Sequence, residues 1–232
     1  QSFLDNLTAR YGGTRLERQE RFGELLLDIE GAILTHDMLD ASRVASPPEM
    51  ARVVVGVDPA LKKKKKSDKT GINVSGRGID GELYALADRS CKMSPDDWSL
   101  RVVQTCYEFD TRIVVAEDNV IGDAIETLIH AHDKAIRVIA KTSTKSKPKR
   151  AEPILAHYER SAKAARGETV TGTGAHIVGK QPALEDQLVQ FTPLQWEGEG
   201  SPDEADAHVF AATELMLGRQ ASWADMAAIN AA

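Results

Sequence analysis

The chain has 232 residues, 42% hydrophobic and 28% charged, the balance of a globular protein long enough to enclose one substantial core. Its formal net charge of −6 excludes binding to a polyanion through overall charge, so any contact with nucleic acid must use local basic patches. No apolar run approaches the ~20 residues of a membrane span, no signal peptide opens the chain, and two cysteines, Cys91 and Cys106, build neither a metal motif nor a disulfide framework, which predicts a reducing compartment.

The opening, QSFLDNLTARYGG, lacks an initiator methionine and starts mid-pattern, as a piece of a longer or processed chain would. Residues 1–50 read as a polar, helix-like linker that closes at the proline-rich SPPEM, Ser46 to Met50. From Arg52 the pattern changes. RVVVGVD is β-branched and almost continuously apolar, as a central strand covered on both faces would be. TGINVSGRG and GELYALADRS alternate on either side of the turn IDG, which predicts a hairpin. SPDDWSLRVVQTCYEF predicts a helix capped by Ser94 with Pro95 in its first turn and Trp98, Val102 and Tyr107 on its apolar face. TRIVVAEDN is a short buried strand ending in two acids; GDAIETLIHAHDK is a helix and AIRVIAKTS a further strand. A helix over KRAEPILAHYERSAKAARG, a strand at AHIVG, a short helix from PALEDQLVQFTPL and a long helix from SPDEADAHVFAATELMLG complete the folded part. Residues 51–218 thus form one domain, and 219–232 a tail. Three leading antiparallel strands followed by parallel strands and crossover helices predict an α/β, ribonuclease H-like mixed sheet flanked by helices.

Three acids fall where buried elements end: Asp58 after the first strand, Glu117 after IVVAE, and Asp206 in the first turns of the last helix. In this topology the strands ending in Asp58 and Glu117 lie side by side, and a helix packed on the sheet can bring Asp206 to them. Converging carboxylates repel one another unless a cation neutralises them. Mg²⁺ and Mn²⁺ take oxygen ligands, and two such ions can clamp the attacking and leaving oxygens of a phosphodiester. A plainer role exists for each acid. Asp58-Pro59 is a common turn dipeptide. Asp203 and Glu204 after Ser201-Pro202 fit a capping box. His208 fits a packed or supporting residue better than a ligand.

VVVGVDP with SDKTGI, IVVAEDN with GD, KRAEPILAHYERS, LEDQLVQFTP and SPDEADAHVFAATELML, in order over Arg52 to Leu217, together resemble the C-terminal nuclease domain of the large terminase subunit of tailed bacteriophages. YGGTRLERQERFGELLLDIEGAILTHDML resembles the stretch that joins that family's packaging ATPase to its nuclease. The resemblance implies a two-metal endonuclease that uses Mg²⁺ or Mn²⁺ to cut concatemeric double-stranded DNA. Asp58, Glu117 and Asp206 would be its catalytic acids and metal ligands, with Asp203 a further polar group near the metals. Asp68 and Asp118 would flank the site. It also implies a packaging ATPase domain in the full-length chain, portal and small-subunit partners, no membrane, and a place in the cytoplasm of an infected bacterial host. Two departures stand out. The loop after Asp58 reads LKKKKK instead of a Gly- and Ser-rich run, and no G-x-x-x-x-G-K-[ST] loop occurs in these residues, so no motor activity is assigned to them.

Two basic segments are candidate DNA contacts. Lys62, Lys63, Lys64, Lys65 and Lys66 follow Asp58 directly, and Lys145, Lys147, Lys149 and Arg150 lie in KTSTKSKPKR, which reads as a flexible loop. Neither segment holds an aromatic residue, so stacking on single strands is not suggested. Other readings of the same residues are a junction-resolving or other structure-specific nuclease of this fold, and a non-catalytic DNA-docking module. An actin-like ATPase ranks below these, because Asp58 is not followed by a phosphate-binding Gly-Thr turn.

Overall fold

The computed structural model describes residues 29–59, 69–117, 122–142 and 144–217. Seven strands form one mixed sheet: β1 (Arg43–Val44), β2 (Met50–Asp58), β3 (Gly71–Gly78), β4 (Leu83–Asp88), β5 (Ile113–Glu117), β6 (Arg137–Lys141) and β7 (Ala175–Val178). Their spatial order is β1-β7-β4-β3-β2-β5-β6. The β2–β3 and β3–β4 pairs are antiparallel, and β2–β5, β5–β6, β4–β7 and β1–β7 are parallel. The described helices are α1 (His36–Ala41), α2 (Pro95–Glu108), α3 (Gly122–His130), α4 (Lys147–Ala165), α5 (Pro182–Leu188) and α6 (Asp203–Met216). The fold is the ribonuclease H-like mixed sheet that the sequence predicts.

Strand alternation sorts the side chains into two cores. Val54 of β2 and Ile113 and Val115 of β5 join the core under α1, α4, α5 and α6. Val55 and Val57, with Val114 and Ala116, join the opposite core under α2 and α3. The same period of two sends Asp58 and Glu117 to the α4–α6 face. Since Val57 pairs with Ala116, the two acids leave the sheet as neighbours at the carboxyl ends of parallel strands.

Helix α6 crosses that face closer than side chains allow. A methyl group added at Gly56 would lie 2.0 Å from the Ala207 carbonyl oxygen, and one at Gly71 would lie 1.9 Å from that of Asp203. Glycine at both positions lets the helix backbone rest on β2 and β3.

Several details differ from the sequence reading. Ahead of residue 51, Leu34 and Leu39 are fully buried in the α4–α6 core, β1 pairs with β7, and Arg43 forms a 2.7 Å ion pair with Glu185. Helix α4 starts at Lys147, two residues before the predicted start at Lys149, with Pro148 in its first turn. Ser94 caps α2 as expected, accepting from the Asp97 N–H, but Tyr107 is exposed and Cys106 takes the buried position. The capping box at Ser201 does not form: Pro202 occupies the cap position without a side-chain hydrogen bond, and Gln187 Oε1 of α5 accepts the Ala205 N–H at 2.9 Å. Both cysteines are buried and unpaired, and burial pushes the Cys106 thiol up to about 12. No described helix is long and apolar enough to cross a membrane.

Gly56→Ala and Gly71→Ala each force α6 away from the sheet, at a cost of about 1–3 kcal/mol for overpacking. Thermal melts of both variants should fall by several degrees; wild-type melting temperatures would mean that the helix does not rest on these strands.

Candidate active site

The two strand-end acids meet α6 at one corner of the molecule. Asp58 is partly exposed, whereas Asp206 is 1% exposed. Burial is the main force that pushes the Asp58 carboxyl up, to about 8, and the fields of Asp206, Asp203 and Glu117 add to it while Lys147 opposes them. Burial likewise raises Asp203, with Glu204 and Asp206 adding and Ser201 and Lys147 opposing. Asp58, Glu117, Asp203 and Asp206, from β2, β5 and α6, therefore form one electrostatic unit.

Two cations from the first turn of α4 enter this unit. Lys147 and Arg150 lie three residues apart and share a helix face. Lys147 Nζ pairs with Asp206 Oδ2 and donates to Ser201 Oγ at 2.9 Å. Arg150 Nη1 donates to Glu117 Oε1 at 2.8 Å. Its Nη2 lies 2.7 Å from Asp206 Oδ1, an ion-pair contact without hydrogen-bond alignment, so both atoms count as buried without a hydrogen-bond partner. The guanidinium also sits over the Phe210 ring, 4.8 Å from its centroid. Arg150 is thus held from three sides, with its side chain 10% exposed, while the Lys147 side chain is 38% exposed.

Lys147 and Arg150, two of the expected DNA contacts, pair with the carboxylates from the start of α4; Arg150 is nearly buried there, while Lys147 keeps part of its side chain in solvent. Lys145 and Lys149 remain exposed next to this turn. Lys62 to Lys66, Asp68 and Asp118 lie outside the described residues. His208 is fully buried on the far side of α6 from Asp206, where its partners are Ser75, Asn73 and Tyr158. It touches none of the acids. The i, i+3 spacing of Lys147 and Arg150 after a strand was the one signal that could have placed them at the site.

Among the described residues, no group of three or more His, Cys, Asp or Glu side chains is spaced to hold a metal ion as the chain stands. Both oxygens of Asp206 are engaged by Lys147 and Arg150. The donor set nevertheless fits a hard divalent cation. It consists of carboxylates alone, and such an ion would offset both the burial that chiefly raises Asp58 and the repulsion from its neighbours that adds to it.

No protein-family model matches the chain, and no curated protein matches it in sequence. Solved structures do match in shape. The nuclease domain of the large terminase subunit gp2 of bacterial virus Sf6 superposes with a TM-score of 0.57 at 12% identity, over 78% of this chain and 98% of that domain. A mutant form of that domain with manganese gives the same score, identity and coverage. The large terminase nuclease from thermophilic phage G20c, with bound cobalt, gives 0.50 at 14% identity, over 80% of this chain and 98% of that one. The chain therefore shares the ribonuclease H-like fold of phage large terminase nuclease domains.

Two outcomes follow for the protein in chelator. A carboxyl with a raised folded pKa contributes stability below its unfolded value that is lost as pH rises through the folded one. Wild type should lose stability through Asp58 between about pH 4, the ordinary carboxylate value, and pH 8. Asp58→Asn should melt increasingly above wild type across that window, and a constant difference would show that the Asp58 carboxyl is not raised in the folded protein. Arg150→Met should destabilise by about 3–5 kcal/mol in urea melts, because it leaves buried carboxylates unpaired. Lys147→Met should cost clearly less, its side chain being more exposed, and the opposite ranking would remove Arg150 from the centre of the unit.

Proposed function

We propose that this chain is a divalent-metal-dependent DNA endonuclease that hydrolyses phosphodiester bonds of concatemeric double-stranded DNA, as the nuclease domain of a large terminase subunit in viral genome packaging. The observation that carries this reading is the gathering of Asp58, Glu117, Asp203 and Asp206 at the carboxyl ends of β2 and β5, in a fold shared with terminase nuclease domains. The metals named for those domains, manganese and cobalt, agree with a carboxylate-only donor set.

Asp58, Glu117 and Asp206 would hold two Mg²⁺ or Mn²⁺ ions, with Asp203 beside them. Such ions supply Lewis-acid stabilisation to the attacking and leaving oxygens of the phosphodiester. The chain's own part is positional. Arg150 holds Glu117 and Asp206 from one side and keeps the buried pair oriented. Lys147, the more exposed cation, can swing from Asp206 toward a phosphate oxygen. Lys145, Lys149 and the run Lys62 to Lys66 would neutralise flanking phosphates, so the carboxylates do not repel the duplex. In a packaging assembly the partners would be the ATPase domain of the same full-length chain, the portal and the small terminase subunit, in the cytoplasm of the infected host.

Supercoiled plasmid incubated with the chain and Mn²⁺ should be nicked and linearised, with little cleavage in Ca²⁺, whose looser coordination positions water poorly. Asp58→Asn and Asp206→Asn should abolish cleavage while the fold survives. Retention of more than about a tenth of the rate corresponds to only ~1.4 kcal/mol of barrier and would sink the assignment. Cleavage confined to branched substrates would point to a structure-specific nuclease, and binding without cleavage of any substrate to a docking module.

A further inference from the structure

Helix α6 carries two of the four acids, and the small residues on its surface do not by themselves give it a preferred roll. Its residues from Glu204 to Ala212, with Glu214 and Leu215, are buried, so it has no polar face to orient toward solvent. Ala205, Ala207, Ala211 and Ala212 make its surface smooth, and Gly56 and Gly71 beneath it are smoother still. Small apolar surfaces drive burial without fixing rotation, because the hydrophobic effect is non-directional. A roll of about 20° moves a group near the helix's outer radius of ~5–6 Å by about 2 Å. Metal ligands tolerate ~0.2 Å. Directional contacts must set the roll, and ion pairs of Asp206 with Lys147 and Arg150, of Glu204 with Lys69 and of Glu214 with Arg52 and Lys141 supply part of them.

A dry hydrogen-bond network adds to them on the side away from the acids. Ser75 Oγ donates to Asn73 Oδ1 at 2.8 Å. The ring nitrogen Nδ1 of His208 lies 3.0 Å from Ser75 Oγ and 3.1 Å from Asn73 Oδ1. With the Ser75 hydroxyl hydrogen spent, both atoms act as acceptors, so Nδ1 carries the proton and Nε2 accepts from the Tyr158 hydroxyl at 2.9 Å. His208 is fully buried, as is Tyr158. The network joins β3, α6 and α4, and α4 is the helix that bears Lys147 and Arg150. His208 stands two residues from Asp206, about 200° around the helix, so a bond that fixes one fixes the direction of the other. An apolar core here would avoid the desolvation of these groups and of Asn73 Nδ2, which has no partner.

We infer that His208 and Tyr158 are positioning residues: their bond, with the Asn73–Ser75 anchor on β3, acts together with the ion pairs of α6 to set its roll and its distance from α4, and thereby the geometry with which Asp203 and Asp206 meet Asp58 and Glu117. The inference rests on the carboxylates being a metal site, as proposed above. Tyr158→Phe keeps the buried ring and removes the hydroxyl donor; Ser75→Ala removes one acceptor and leaves Asn73. A matched control is Ile129→Val, a core change under α3 on the opposite face of the sheet. Isothermal titration of each protein with Mn²⁺ is the readout. Tyr158→Phe should bind Mn²⁺ at least about tenfold more weakly and Ser75→Ala about threefold more weakly, while Ile129→Val, though melting lower, should stay within about twofold of wild type. Wild-type Mn²⁺ affinity in both Tyr158→Phe and Ser75→Ala, or equal weakening in Ile129→Val, overturns the inference and leaves the metal site standing. A wild-type protein that takes up no Mn²⁺ overturns the site, and this inference falls with it.

Discussion

Like charge held at close quarters governs this molecule. Asp58, Glu117, Asp203 and Asp206 come from three elements to one corner, where burial first and the neighbouring acids second push the Asp58 carboxyl up to about 8. The surrounding chain is arranged around that crowding. Helix α4 begins so that Lys147 and Arg150 reach the acids, and Phe210 of α6 supplies a ring face for the guanidinium. The two cations are not equivalent. Arg150 is shared between two carboxylates and nearly buried, so its removal strands charge; Lys147 is the better-solvated partner.

The rest of the fold delivers the acids within reach of each other. Parallel pairing of β2 and β5 fixes the separation of their ends, and the period of two fixes the face to which Asp58 and Glu117 point. Gly56 and Gly71 admit α6 against the sheet, and Gln187 supplies the cap that its own sequence lacks. Glu204 pairs with Lys69 just before β3, which ties the start of α6 to the segment that follows Asp58. The same corner thus joins the ends of β2, β5 and α6, the start of α4, and the approach to β3.

Much of this was legible in the sequence, for stated physical reasons. RVVVGVD and IVVAE announce buried strands because a central strand has no polar face to show, and the acids that end them are the first residues free to be polar. The alternation in TGINVSGRG even encodes Gly71, Asn73 and Ser75 on one face. What failed was longer in range. Arg43–Val44 carries no alternation over two residues, so only its tertiary pairing with β7 makes it a strand. KTSTKSKPKR reads as a basic loop because its lysines resemble a solvated run; that Lys147 and Arg150 reach the carboxylates depends on Glu117, 33 residues before Arg150, and Asp206, 59 residues after Lys147. Ser201 fits a cap by local pattern, but a partner from α5 is already in place. Tyr158 gave no signal at all, because a tyrosine in an amphipathic helix reads as core.

If the crowded corner holds divalent cations, as proposed, Mn²⁺ will seat among its carboxylates. Anomalous diffraction from crystals of the chain soaked in Mn²⁺ tests it most directly. The account predicts Mn²⁺ peaks ligated by Asp58, Glu117 and Asp206, with Lys147 moved off Asp206 and Arg150 still on Glu117. Crystals without Mn²⁺ at this corner, and with Lys147 and Arg150 unmoved on Asp206, would contradict it.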